Sequence, residues 1–431
     1  MIFFLYNLIL MLSLLLLSPI IVLRLIFDKR YRTGLSERLG NIPDKVVVDL
    51  KNPPSPPFAK RGDSGQRPIW FHAASVGEVI SSQKLLEGIR ERFPDMKLLV
   101  STFTPTGNKA AREKLKADGV IFLPLDFPWA VNRAVKKVNP SVLILMETEL
   151  WPNLIRRAGS MNISVVVVNG RISDRSYGKY WFISPLLKKV FESITLFLMQ
   201  SEGDAGRVIA LGAEPSRVTV TGNIKFDLKS SDKGIGFMEN WGGPVLLAGS
   251  TRTGEESPVL DVYKRLRERY PGLKLVLAPR HLDRLRDVEG ILKEKGIQFV
   301  RRSEVSEKVE SPILLLDTLG ELASFYKYGT IVFIGGSLIP VGGHNPIEAA
   351  LYGRPVLFGP HMENFRDSAR ILEESGGGAR VNDTEELMSW FDRLLSDSGL
   401  RQTMGNNARQ AILKNQGATE RILEALAGVV S

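Results

Sequence analysis

The sequence contains no cysteine, which excludes disulfides, a thiolate nucleophile and cysteine-ligated zinc or iron–sulfur centres along all 431 residues. Histidine is scarce: the four in the chain are His72, His281, His344 and His361. They follow no H-x-x-x-H or similar spacing and fall in different halves, so structural or phosphate-binding hydrogen bonds suit them better than a metal. Neither half carries a D-x-D pair where a metal–nucleotide site would need it, and the G-x-x-x-x-G-K-[ST] phosphate loop is missing. No metal or other cofactor is expected.

Charge is absent from Met1 to Leu23, the one long apolar run of the sequence. About 22 helical residues at roughly 1.5 Å each reach about 33 Å, enough to cross a hydrocarbon core of about 30 Å. No basic stretch precedes the run and no small-residue cleavage pattern follows it, which favours an uncleaved anchor over a signal peptide. Arg24, Lys29, Arg30, Arg32 and Arg38 come after it, so the positive-inside bias puts the rest of the chain in the cytoplasm. The expectation is a single-pass anchor at 1–27.

What remains has an ordinary globular composition, 44% hydrophobic and 24% charged. Its length exceeds what one core usually supports, so two domains are expected. Lys and Arg outnumber Asp and Glu by 57 to 47, a net charge of +10, which fits nucleic acid, anionic lipid or phosphorylated substrates as partners, or simply a solvated basic surface.

From Pro68 onward, short runs of Val, Ile and Leu alternate with helical stretches, the pattern of buried parallel strands in doubly wound sheets. Strands are expected near 68–72, 97–103, 119–123, 142–146, 164–169 and 195–199. A second set is expected at 244–249, 273–278, 312–316, 331–335 and 355–359. The polar stretch 229–243 reads as a linker and the Pro-rich stretch 51–67 as a surface loop. The fold class is therefore α/β, with Rossmann-like halves at 28–235 and 236–431.

The chemistry-bearing residues stand where these strands end, the side on which open α/β sheets bind ligands. After 68–72 comes FHAASVGEV, with Glu78 at a helix start; it either complements the helix dipole or serves a site. STFTPTGN at 101–108 is a second polar turn of this kind. VLILMETELWPN at 142–153 runs from a buried strand into Glu147 and Glu149, costly positions unless paired or exposed to a cleft. VVNGRISDRSY follows at 167–177, and TGNIKFD at 221–227 supplies Lys225, which alone would read as a solvated charge. In the second half, LLAGSTRTGEE puts Ser250 and Thr251 before a helix start whose free N–H groups suit a phosphate. Arg280 in the run Pro279–His281 is placed to reach the same phosphate. DTLGEL at 317–322 and GGSLIPVGGHNPIE, ending at Glu348, complete the set. Lys179 to Phe182, with Lys188 and Lys189, fits a membrane-facing helix or core packing equally.

Taken in order, R-x-G-x-x-x-R-L-G at 32–40, FHAASVGE, ETELWPN, NGRISDRSY, GNIKFD, PRH, DTLGEL and GGSLIPVGGHNPIEAA resemble the Kdo transferase family over nearly the whole chain. These are membrane-anchored glycosyltransferases with the GT-B architecture, two Rossmann-like domains facing across a cleft. They move 3-deoxy-D-manno-octulosonic acid (Kdo) from CMP-Kdo onto lipid A precursor at the bacterial inner membrane. The resemblance implies that Glu78 is the general base and that Glu149 and Lys225 stabilise the transition state. It implies CMP contacts from Pro279 and Arg280, from Gly320, Glu321 and Leu322, and from Asn345, Pro346, Ile347 and Glu348. It implies CMP-Kdo, lipid A precursor and an anionic membrane surface as partners, and no nucleic acid. The alternatives are another GT-B enzyme using a different nucleotide sugar, or a non-catalytic anchored nucleotide-binding protein.

Overall fold

In a computed structural model describing residues 1–51, 67–228, 230 and 234–430, the chain divides into two compact units, Met1–Asp227 with Gly417–Ser431, and Leu228–Gln416. In the first unit the strands are β1 (Ile69–His72), β2 (Leu98–Thr102), β3 (Gly119–Phe122), β4 (Val142–Met146), β5 (Ser164–Gly170), β6 (Leu196–Met199) and β7 (Val218–Val220). They form one parallel sheet of order β3-β2-β1-β4-β5-β6-β7. The second unit contains β8 (Val245–Thr251), β9 (Lys274–Pro279), β10 (Val300–Arg301), β11 (Ile313–Leu315), β12 (Ile331–Ile334), β13 (Val356–Phe358) and β14 (Gly378–Arg380). Their order is β10-β11-β9-β8-β12-β13-β14, again parallel. Central strands such as β1 and β4 are buried along their whole length, as expected when helices cover both faces.

Strand order fixes where each unit can bind a ligand. In the first sheet the chain winds one way from β1 through β2 to β3 and restarts on the other side at β4. In the second, β8 lies between β9 and β12 in the same manner. A crevice opens at such a switch point, outside the carboxyl ends of the two strands. The ends of β1 and β4 carry FHAASVGE and ETELWPN; those of β8 and β12 carry GSTRTGEE and GGSLIPVGGHNPIE.

Two expected boundaries differ: the units part after Asp227 and not after 235, and the second unit ends at Gln416. The second half was read to run to 431, but the last residues return to the first unit, where helix Ala418–Ala427 buries Ala418, Ile422, Leu423 and Leu426 in the core that holds Val79, Leu85 and Ile89. Asp227 caps that helix, accepting from Gly417 N–H at 2.6 Å and from Thr419 N–H. An apolar helical stripe declares that it must be covered, but not by which sheet. In the stretch read as a linker at 229–243, residues 229 and 231–233 lie outside the described residues, while Gly236–Glu239 forms a helical turn. The loop expected at 51–67 also lies outside them, save for its two end residues.

The apolar N-terminus forms the helix Ile2–Phe27, long and apolar enough to cross a membrane, with none of its residues buried. Its first turns touch the first unit: Tyr6 OH donates to Asp126 Oδ2 at 2.9 Å and Asn153 Nδ2 donates to Asn7 Oδ1 at 2.7 Å. The Arg156 guanidinium lies 4.5 Å from the Phe3 ring.

Candidate active site

At the end of β1, Ser75 caps helix Val76–Arg92, and Glu78 in its first turn answers the cap. Ser75 Oγ–H donates to Glu78 Oε1 at 2.8 Å, and Ala74 N–H donates to Oε2 at 2.9 Å. The ordinary capping explanation for Glu78 is thus realised, and the same contacts fix its carboxylate at the sheet end. Burial, the largest influence, pushes its pKa up; the hydrogen bonds from Ala74 and Ser75 oppose this, and the nearby charges of Glu147 and Glu149 reinforce it.

Both of those acids stand at the end of β4. Glu147 holds a left-handed backbone at φ 56°, uncommon for a residue with a Cβ. Its Oε1 lies 3.4 Å from Lys225 Nζ. Lys225 is carried on the short turn Ile224–Phe226, which Asn223 and Asn169 fix by accepting from Lys225 N–H at 3.0 Å and Ile224 N–H at 3.1 Å. Glu149 faces elsewhere: Trp151 Nε1–H donates to its Oε2 at 2.9 Å, and His72 Nε2 is 3.5 Å away. Burial works to raise the Glu149 pKa, but His72 and Trp151 outweigh it and hold the carboxyl below its ordinary value. His72 is itself buried, its Nδ1 3.0 Å from the carbonyl of Ser101.

The motif at 32–40, to which the sequence reading gave no role, supports this cluster from outside. The Arg38 guanidinium lies 5.0 Å from the Phe103 ring and 4.6 Å from Phe122, and Phe103 stacks on Trp151 with centroids 5.4 Å apart. Glu37 accepts from Phe122 N–H at 2.6 Å. The packing runs from Arg38 through Phe103 and Trp151 to the Glu149 carboxylate.

In the second unit the switch point is tied together by a residue the sequence reading passed over. Glu255 is fully buried and accepts four backbone N–H groups: Arg252 at 2.9 Å, Gly336 at 2.6 Å, Ser337 at 2.9 Å and Leu338 at 2.9 Å. It joins the loop after β8 to the loop after β12. A carboxylate in the run T-G-E-E looks like another first-turn acid; only the fold reveals which N–H groups converge on it. Ser250 has φ 59°, and the Thr251 hydroxyl is buried with no hydrogen-bond partner among the described residues. Arg280 N–H donates to Thr251 O at 3.0 Å, joining the ends of β8 and β9.

Glu348 is placed beside these strand ends. Burial pushes its pKa up, while Asn345, whose Nδ2 is 3.3 Å from Oε1, and the charge of Arg280 pull it down. Asn345 also accepts from Ile347 N–H at 3.0 Å and so starts the short helix after Pro346. Ser250, Thr251, Pro279, Arg280 and Asn345 to Glu348 therefore gather at one switch point. Gly320, Glu321 and Leu322 lie beyond the end of β11, and the Glu321 carboxylate is paired with Arg302 at 3.0 Å. Among the described residues no group of three or more His, Asp or Glu side chains is arranged to hold a metal ion.

Residues 33–228 match the family described as 3-deoxy-D-manno-octulosonic-acid transferase (kdotransferase). The chain is 35% identical over 410 residues to a 3-deoxy-D-manno-octulosonic acid transferase of Haemophilus influenzae, with 92% of this chain and 91% of that one covered. To a protein of the same name from Bordetella pertussis it is 32% identical over 375 residues, covering 83% and 86%. Among solved structures, the UDP-GlcNAc 2-epimerase from Neisseria meningitidis bound to UDP-GlcNAc superposes with a TM-score of 0.57 at 14% identity, over 84% of this chain and 100% of that one. That likeness is one of fold.

Proposed function

The chain belongs to the 3-deoxy-D-manno-octulosonic-acid transferase family, glycosyltransferases of GT-B architecture, and from that premise we propose that it transfers Kdo from CMP-Kdo to a lipid A precursor with inversion at the anomeric carbon. The observation that carries this reading is the acid cluster at the first switch point, a fixed Glu78 flanked by Glu147, Glu149 and Lys225.

Glu78 acts as the general base. An ionised carboxylate at a sheet end can take the proton of the attacking sugar hydroxyl, and a pKa raised by burial makes it a better acceptor. Attack at the anomeric carbon forms the new glycosidic bond as the bond to the CMP phosphate breaks. Direct displacement with one base inverts that carbon. Lys225 and the anionic Glu149 stabilise the separating charges of an oxocarbenium-like transition state. CMP is held in the second unit by the Arg280 guanidinium and the segment Asn345–Glu348, with Glu348 on the ribose hydroxyls. Fixed cations serve the leaving phosphate, so no divalent ion is required.

The helix Ile2–Phe27 serves as the membrane anchor, and the Arg and Lys residues that follow it suit the anionic cytoplasmic leaflet. Trp181 and Phe182, 55% and 86% exposed, add an apolar patch that fits a membrane surface better than a core. One observation favours a seat of the helix beside the first unit over a full crossing. Tyr6 and Asn7 are bonded to Asp126 and Asn153, and a crossing would carry those turns about 30 Å away, to the opposite face.

Competition between CMP and UDP for the purified protein tests the donor assignment. CMP should displace bound donor at much lower concentration, and a clear preference for UDP would overturn it.

A further inference from the structure

Beside Arg280 lies a second guanidinium that neither the fold nor the family reading employs. Arg252 follows β8, and its side chain donates from Nε to His344 Nε2 at 3.3 Å and from Nη1 to His281 Nε2. A guanidinium only donates, so both imidazoles must accept through Nε2 and are neutral in this arrangement. Burial, then the charges of Arg280 and Arg252 and the neighbouring His281, push the His344 pKa down to about 4, which keeps that ring neutral at working pH. Gly336, at φ 67°, makes room for the imidazole; a Cβ there would lie 2.9 Å from the His344 ring. Among the described residues neither Arg252 nor Arg280 has a carboxylate within 4.0 Å of its guanidinium. Two cations therefore stand at one strand-end crevice, one of them steered by two neutral rings and with N–H groups to spare.

A second cation needs a second anion. The proposed donor is the CMP ester of an ulosonic acid, so its anomeric carbon bears both the phosphate oxygen and a carboxylate. Resting on that reading of the donor, we propose that Arg252, oriented by His281 and His344, is a specificity-determining residue that binds the sugar carboxylate while Arg280 serves the phosphate. Nucleotide sugars without an acid function offer no anion to the remaining N–H groups of Arg252 and forgo this charge-assisted pair. The guanidinium fork matches a carboxylate with two parallel hydrogen bonds, which a lysine cannot reproduce.

The test compares two probes on the full-length Arg252→Gln protein: the dissociation constant for CMP, which lacks the carboxylate, and kcat/KM for CMP-Kdo. CMP affinity should stay within about twofold, while kcat/KM for CMP-Kdo falls by roughly tenfold to a hundredfold, chiefly through KM, as loss of a charge-assisted pair implies. Equal weakening of both probes would assign Arg252 to the phosphate, and no change in either would remove it from the site; each result overturns the proposal. Should the Gln variant melt early, Arg252→Lys, which keeps the charge and the stem, is judged by the same comparison. A wild-type protein that fails to turn over CMP-Kdo would instead contradict the donor assignment, whatever the variant does.

Discussion

The ammonium of Lys225 lies 3.4 Å from Oε1 of Glu147, so its partner is Glu147 and not Glu149, the residue with which it shares a proposed role. Glu147 holds Lys225 in place from a left-handed backbone position at the end of β4. Replacing Lys225 with Ala should lower kcat by about 10²–10³-fold, the usual loss for one preorganised electrostatic group. Glu147→Gln, which keeps the shape and drops the charge, should give a smaller loss in kcat with little change in KM. Steady-state kinetics on both variants checks this; full activity in Lys225→Ala would remove the residue from the reaction.

Glu78 has an observed duty as a cap and a proposed one as the base, and mutation can separate them. Glu78→Gln keeps an acceptor for only part of the cap, so a loss of about 0.5–1 kcal/mol in stability is expected from thermal unfolding. As a missing base it should cost about 10²–10⁴-fold in kcat. Ser75→Ala removes one hydrogen bond from the cap and from the Glu78 carboxylate but keeps the acid and its bond from Ala74 N–H, and should lower stability similarly while retaining most activity. If the two variants lose activity equally, Glu78 is a cap and nothing more.

The acid limb of the pH–rate profile follows from the raised pKa of Glu78. The proposed base acts in its ionised form, so kcat/KM should fall as the pH drops through a pKa raised from that of an ordinary glutamate. Burial is the main cause and persists in a variant, but the contribution of Glu149 does not: in Glu149→Gln the limb should move to lower pH. For stability the sign is reversed. A carboxyl whose folded pKa is raised contributes stability that is present at low pH and lost as the pH rises through that pKa. A limb that stays fixed in Glu149→Gln would show that the two carboxylates are not coupled.

Glu255 should matter more than its place in the sequence suggests. Glu255→Ala leaves buried N–H groups at Gly336 and Ser337 without an acceptor, each costing about 1–3 kcal/mol. Loosened loops after β8 and β12 should then weaken CMP binding by at least tenfold even though the Glu255 side chain is fully buried. Calorimetric titration with CMP, alongside thermal unfolding, reads both effects.

The seat of the N-terminal helix can be read by labelling, since the chain has no native cysteine to interfere. A cysteine inserted after Met1 and another at Lys45 should both react with a membrane-impermeant maleimide from the cytoplasmic face of sealed inverted vesicles. Reaction of the first only after the membrane is opened would show that the helix crosses and that the Tyr6–Asp126 bond is absent in the bilayer.

Much of the fold was legible because central parallel strands are apolar along their whole length, and β4, for instance, coincides with the expected 142–146. The strands left unread, β7, β10 and β14, are short edge strands. Val300–Arg301 is only half-buried, and Thr219 within β7 is exposed, so neither makes an apolar run. At the site, Ser250 and Arg280 were legible from their places at strand ends, while Glu348, on the helix Ile347–Leu351, was placed there by the family resemblance. The pairing within each cluster was not. Which carboxylate takes Lys225, which N–H groups Glu255 collects, and how Arg252 meets His281 and His344 depend on strand order and side-chain direction, which no local spacing encodes.

Incubation of the full-length protein with CMP-Kdo and a tetra-acylated lipid A precursor, in the presence of EDTA, followed by mass spectrometry of the lipid, bears most directly on the account. It predicts a product heavier by one or more Kdo residues, formed without added metal and lost in Glu78→Gln. Unchanged lipid with CMP-Kdo, alongside sugar transfer from a UDP-activated donor, would contradict it.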